Sequence, residues 1–214
     1  MKQSLKQGIS LQDLIYNGVH IGHEKSKVNT EATPYLLGVR SNMHIINLET
    51  TIVALRKTMK FINDLSANGG TVLFVSTVND YSSIIESAAK RSNQPYVNRQ
   101  WVGGLLTNFV QIRKRLNSIT DCSYKFIMST QGVKNMDRLP DALFVIGARN
   151  CPTALHEASV LKIPTIAIID SNDSIRNITY PIPGNDDSIL AVNLYCQLIS
   201  NAILSGSHDH RYQN

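Results

Sequence analysis

Hydrophobic and polar positions along this chain follow two alternating patterns. Thr71–Thr77 (TVLFVST), Asp141–Gly147 (DALFVIG) and Pro164–Asp170 (PTIAIID) are continuous apolar runs with turn residues close by. Continuous rather than alternating apolarity marks strands covered on both faces, as in a parallel sheet. His44–Leu48 (HIINL) is a fourth candidate strand, and Tyr96–Asn98, after Pro95, a short fifth. Between these runs the period becomes helical. Ile52, Leu55, Met59 and Ile62 recur on one face, while Arg56, Lys57, Lys60 and Asp64 take the other. Tyr81–Arg91 reads as a second helix, capped by Asn79 or Asp80. Leu106, Phe109, Ile112 and Leu116 define a third, and Thr153–Leu161, with Pro152 near its first turn, a fourth. The last, Asp186–Leu204, opens on two acids that the helix dipole favours.

Strands alternating with helices, joined by right-handed crossovers, predict an α/β domain: a doubly wound parallel sheet with helices on both faces. Residues 44–206 are expected to form it. Residues 1–43 precede the first strand as an N-terminal arm and helix, and Ser207–Asn214 form a polar tail. Residues 119–138 break the alternation and read as an irregular loop. No internal repeat or low-complexity tract occurs, which excludes solenoids.

Composition narrows the class. Of 214 residues, 43% are apolar and 17% charged, enough to bury a core. No stretch approaches 18 apolar residues, so no membrane partner is expected. Cys122, Cys151 and Cys196 form no C-x-x-C pair and leave one over in any pairing, which favours free thiols in a reducing compartment. Met1–Ser10 lacks the apolar core of a secretory signal. The net charge of +5 fits a partner carrying phosphates without proving one. Asn (19) and Ile (23) are both abundant, a bias that AT-rich codons produce and that suits an organellar gene.

Enzymatic chemistry finds little support. No G-x-G-x-x-G follows a strand, and no G-x-x-x-x-G-K-[ST] or G-x-S-x-G occurs. Gly103-Gly104 opens a helix and can offer backbone N–H groups to a phosphate, or simply make a tight turn. His20-x-x-His23 with His44 has the residue types of a metal site, but Gly18 and Gly22 argue against a regular helix there. Asp186-Asp187 can bind a divalent cation or act as acid and base; a turn and helix start is the simpler reading. No catalytic residue, metal, cofactor or small-molecule substrate is therefore expected. The remaining alternative is a divergent α/β enzyme that binds a nucleotide or sugar phosphate.

Basic residues instead fall in small clusters: Lys25 and Lys27; Arg56, Lys57 and Lys60; Lys90 and Arg91; Arg113, Lys114 and Arg115. Any one suits a solvated helix face, but several without compensating acidic runs fit a chain lying against phosphates. Arg99 and Trp101 beside Gly103-Gly104 can clamp a backbone or stack on a base, although a lone Trp is commonly core.

Several blocks carry a resemblance. Gly18-Val19-His20-Ile21-Gly22-His23 is followed by Pro34–Arg40 (PYLLGVR), then by Asn98–Asn108 (NRQWVGGLLTN) and Leu139–Ile146 (LPDALFVI). Ile182–Asp187 (IPGNDD) comes last. In order and spacing, residues 10–205 resemble ribosomal protein number two of the small subunit, bacterial and organellar type. The resemblance implies a flavodoxin-like parallel sheet, no enzymatic activity, and a structural role binding small-subunit rRNA and neighbouring ribosomal proteins. It implies that His20, His23, Arg40, Arg99 and Trp101 belong to the arm and turns that pack the domain and face rRNA; the basic clusters add Lys25, Lys27, Arg113, Lys114 and Arg115 as candidate RNA contacts. Bacterial members carry a coiled-coil insertion after the R-K-R helix; here residues 119–138 are its short remnant. The family's W-N-P-K-M stretch is replaced by Lys27–Ala32 (KVNTEA). The shortened insertion and the Asn/Ile bias look most like mitochondrial members, with the plastid or the bacterial cytoplasm as the alternative location.

Overall fold

A computed structural model describes residues 9–117 and 123–213. Helix α1 (Leu11–Tyr16) opens on a capping box, in which Ser10 and Asp13 satisfy each other's backbone N–H groups. Three short strands follow: β1 (Ile21–Glu24), β2 (Leu36–Arg40) and β3 (Met43–Ile46). They form a separate antiparallel sheet in the order β1-β3-β2. The His44–Leu48 run therefore does not join the parallel sheet. Its residues alternate between half-buried and buried along β3, the mark of a strand with one covered face.

The chain then enters α2 (Leu48–Ala67), β4 (Val72–Val75), α3 (Ser82–Arg91) and β5 (Tyr96–Val97). Next come α4 (Phe109–Asn117), α5 (Tyr124–Thr130), β6 (Ala142–Val145) and α6 (Pro152–Val160). The last elements are β7 (Thr165–Ile169), β8 (Tyr180–Pro183) and α7 (Ile189–Gln213). β4 to β8 form one parallel sheet in the order β5-β4-β6-β7-β8. That is the flavodoxin-like order of doubly wound sheets, in which the first-entered strand lies second from one edge.

Each face of the sheet has its own core. Val72, Phe74, Phe144, Ile166 and Ile168 pack against α2, α3 and α7 through Leu55, Ile62, Ile85, Tyr195 and Ile199. The alternate residues Leu73, Val75, Leu143, Val145 and Ala167 face Leu105, Leu106, Ile112, Phe126, Ala154 and Ala158. Over Ile189–Ser207, α7 is long and apolar enough by composition to cross a bilayer. Its Ala191, Val192, Tyr195, Cys196, Ile199 and Ile203 are instead buried in the first core, and Ser66 of α2 donates to the Ile203 carbonyl at 2.8 Å. Cys151 and Cys196 are buried free thiols; Cys122 lies outside the described residues.

Four boundaries differ from the sequence reading. α3 is preceded by a 3-10 turn, Asn79–Tyr81, so its cap position falls on Tyr81 and neither Asn79 nor Asp80 caps it. The segment expected as an irregular loop before β6 contains α5 and a 3-10 turn, Gln131–Val133, and buries Phe126, Val133 and Met136. α7 begins at Ile189, beyond the two acids, because Asn185–Ser188 forms a turn held by the Asn185 carbonyl oxygen Oδ1. Its backbone continues through most of the expected polar tail.

Candidate nucleic-acid interface

The Arg99–Asn108 turn was the best anion cradle in the sequence, and it does cradle an anion. The anion is the protein's own Glu157, projecting from α6. Trp101 Nε1 and the Gly104 backbone N–H donate to Glu157 Oε1 at 3.0 and 2.8 Å. The backbone N–H groups of Leu106 and Thr107 and the Thr107 hydroxyl donate to Oε2 at 3.0, 3.1 and 3.2 Å. Gly104 sits at φ +84°, a conformation glycine adopts without a Cβ penalty. Burial pushes the Glu157 carboxyl up, but the bonds from Trp101, Gly104, Thr107 and Leu106 outweigh it and hold the group below the ordinary 4.5. The cradle is thus filled from within and offers nothing to a phosphate. Trp101 is 9% exposed with its N–H engaged, so its expected stacking on a base gives way to core packing.

A second polar cluster joins the arm to the last crossover. His23 reaches Asp170 Oδ2 with Nδ1 at 3.2 Å and Asp187 Oδ2 with Nε2 at 3.1 Å. The His23 N–H donates to Ser171 Oγ at 2.8 Å. Asn185 bridges the same two regions, donating from its amide to the Gly18 carbonyl at 3.0 Å and from its backbone to Val19 at 3.1 Å. The G-V-H-I-G-H and I-P-G-N-D-D blocks, far apart in sequence, therefore lock against each other. Nearby, burial pushes Asp173 up to about 6, and burial together with the charges of Asp173, Asp170 and Asp187 pushes Asp186 up to about 8. Both ring nitrogens of His23 face carboxylates, and the residue also lines a polar cleft with Lys27 and Arg149. One ligand atom each from His23, Asp170 and Asp187 lies within 4.8 Å of the others, a spacing that can hold a metal ion. The His20–His23–His44 grouping is not assembled: His44 is buried with neither ring nitrogen bonded, and His20 Nδ1 is likewise unbonded. Asp186 and Asp187 precede α7 rather than occupying its first turn, so dipole stabilisation is not their role.

Among the other cations, one group lies near the amino ends of the strands and another near their carboxyl ends, while Arg56, Lys57 and Lys60 lie on α2 and Lys90 and Arg91 on α3. Arg113, Lys114 and Arg115 lie on α4 near the residues that lead into β6, at the amino ends of the strands. Arg113 is tied to Asp137 through its backbone carbonyl and its carboxylate, and Arg115 lies 4.6 Å over the Phe126 ring. At the opposite, carboxyl edge, Arg99 follows β5 and Arg149 follows β6. Arg149, which sequence reasoning did not single out, lines a polar cleft of about 650 Å³ with Lys27, Asn29 and Asn172. A second cleft of about 390 Å³ holds Arg99, Lys125 and Tyr124. Among the described residues Arg99, Lys125 and Arg149 make no ion pair, and Lys27 has only an exposed contact to Glu24 at 3.9 Å. Lys25 and Arg40 are exposed on the arm.

The structure thus defines a flavodoxin-like α/β protein whose glycine-turn anion cradle holds an internal carboxylate. A family model described as ribosomal protein S2 matches residues 14–206. The small ribosomal subunit protein uS2 of Gluconacetobacter diazotrophicus is 42% identical, covering 92% of this chain and 84% of its own. The uS2 proteins of Rhodospirillum rubrum (39% identical; 92% and 84% covered) and Acinetobacter baylyi (40%; 92% and 89%) are similar over the same extent. The chain belongs to the ribosomal protein S2 family, whose members are structural and non-enzymatic.

Proposed function

We propose that this chain is a structural component of the small ribosomal subunit, binding rRNA and neighbouring ribosomal proteins during mitochondrial translation. The observation that carries the rRNA reading is the carboxyl edge, where Lys27, Arg99, Lys125 and Arg149 line two polar clefts almost free of internal ion pairs. Arg99 and Lys125, which make no ion pair among the described residues, gain most from phosphates, because contact releases counterions without breaking an existing pair; Arg149 also feels the charge of Asp173. Lys25 and Arg40 extend this surface onto the arm, while Lys114 is a peripheral contact on the far edge. Such contacts fix orientation on a folded RNA and carry no sequence information of their own.

A protein neighbour suits a different surface. Leu37 and Val53 are 67% and 66% exposed, and Val53 lines an apolar groove of about 500 Å³ with Tyr35, Ala54, Tyr180 and Pro181. Contiguous apolar exposure of this kind marks interaction sites. The Asn/Ile bias and the short segment between α4 and β6 support a mitochondrial location over the plastid or the bacterial cytoplasm.

Binding to small-subunit rRNA across a salt series tests the edge assignment. Arg149→Ala and Arg99→Ala should each flatten the salt dependence by about one unit of slope. Arg113→Ala should leave the slope unchanged, because that guanidinium already faces Asp137. A loss of slope at Arg113 with none at Arg99 or Arg149 would move the RNA surface to the opposite edge.

A further inference from the structure

We propose that the cleft between the end of β5 and α5 holds one unpaired nucleotide of an RNA strand, its base stacked on Tyr124 and its flanking phosphates on Arg99 and Lys125. The inference rests on the rRNA-binding reading and adds to it a position and a recognition mode. The cleft lies where ligands sit in doubly wound sheets, outside the carboxyl ends of the strands. Its walls are Thr77 and Asn79 after β4, Arg99 and Gln100 after β5, and one side of α5. The neighbouring crevice between β4 and β6 is closed by the chain itself, where the Thr77 hydroxyl donates to the Asn150 carbonyl at 3.0 Å. That leaves the β5–α5 cleft open.

α5 is built to present an aromatic ring there. Phe126 and Thr130, one turn apart, are buried and anchor the helix, while Tyr124 and Met128 share the side that lines the cleft. Tyr124 is 77% exposed, so its ring face is accessible to a ligand. An aromatic face flanked by cations is the combination that binds single-stranded nucleic acid: bases stack on the ring and phosphates meet the charges. Among the described residues, no acidic side chain lines the cleft.

The same chemistry is offered by a free nucleotide, so the test compares sources. The full chain is titrated with a fluorescein-labelled single-stranded RNA hexamer, with a duplex of the same sequence, and with AMP as competitor. The expected result is preference for the single strand, with Tyr124→Ala weakening hexamer binding about tenfold and Tyr124→Phe retaining it. Arg99→Ala and Lys125→Ala should weaken it with a reduced salt slope, and AMP should compete only at far higher concentration than unlabelled hexamer. Hexamer binding that is unaffected by Tyr124→Ala but weakened by Arg149→Ala overturns the stacking cleft and leaves the rRNA reading standing. Failure of the wild-type chain to bind either the hexamer or small-subunit rRNA overturns both. AMP competing as well as the hexamer overturns the RNA strand as the occupant. Because Tyr124 is exposed, an unchanged thermal melt of Tyr124→Ala confirms that the comparison is between folded proteins.

Discussion

Glu157 shows how one side chain can decide the meaning of a motif. In the sequence, R-x-W-x-G-G-x-L-T-N presents glycines, a guanidinium and an indole, all of which suit a phosphate. The structure delivers a carboxylate to the same donors from α6. The signal that could have exposed this was a single acid among the apolar positions Ala154, Leu155 and Ala158, which are buried with it. A buried acid on an apolar helix face needs donors, and the glycine turn is where donors are free. Glu157→Ala should therefore destabilise the fold by about 3 kcal/mol or more, since several buried donors lose their acceptor together. Glu157→Gln should be intermediate; denaturant midpoints measure both. The carboxyl is held below its ordinary value of 4.5 in the folded chain, so its contribution is complete above that value and is lost as pH falls through the lower, folded one. The stability difference between wild type and Glu157→Gln should shrink as a urea series moves from pH 7 to below pH 4.5, and a constant difference would contradict the account.

Elements were legible in proportion to how many of their neighbours the sequence dictates. T-V-L-F-V-S-T, D-A-L-F-V-I-G and P-T-I-A-I-I-D became β4, β6 and β7, because strands buried on both faces need apolar residues throughout. β8 was unreadable: Tyr180–Pro183 contains two prolines, which a parallel sheet tolerates only at its edge, and β8 is the edge. Part of His44–Leu48 was recognisable as extended, yet so short a run cannot say which sheet it joins. α5 was missed because seven residues with only Phe126, Ser129 and Thr130 buried, one of them apolar, carry too little periodicity. Its position depends on Gly132, where an added Cβ would lie 2.2 Å from the Tyr96 carbonyl oxygen. Gly132→Ala should displace α5 from β5 and cost about 1–3 kcal/mol. Hydrogen exchange should show faster exchange across Tyr124–Val133 while β6 and β7 stay protected. Uniform protection in the variant would mean that the helix is anchored elsewhere.

For the whole molecule, what mattered was how charge is distributed over the two edges of the sheet. Of the four basic clusters in the sequence, folding puts Arg113 and Lys114 by the amino ends of the strands, Arg113 engaged with Asp137, while Lys27 comes to line a cleft with Arg149, and Arg99 and Lys125, outside those clusters, line another. Which edge a cation reaches depends on whether it precedes or follows its strand, a property of topology rather than of local composition. The arm is held to this edge by His23 and Asn185, so Lys25 and Lys27 lie where the two sheets meet. The result is a scaffold in which Arg99, Lys125 and Arg149 line clefts at the carboxyl edge and an apolar groove lies beside α2. The most direct measurement is sedimentation of the tagged chain from a mitochondrial lysate, with magnesium and then with EDTA, at moderate salt. Co-migration with the small subunit in both conditions is the predicted result. Recovery only at the top of the gradient would contradict a structural place in that subunit.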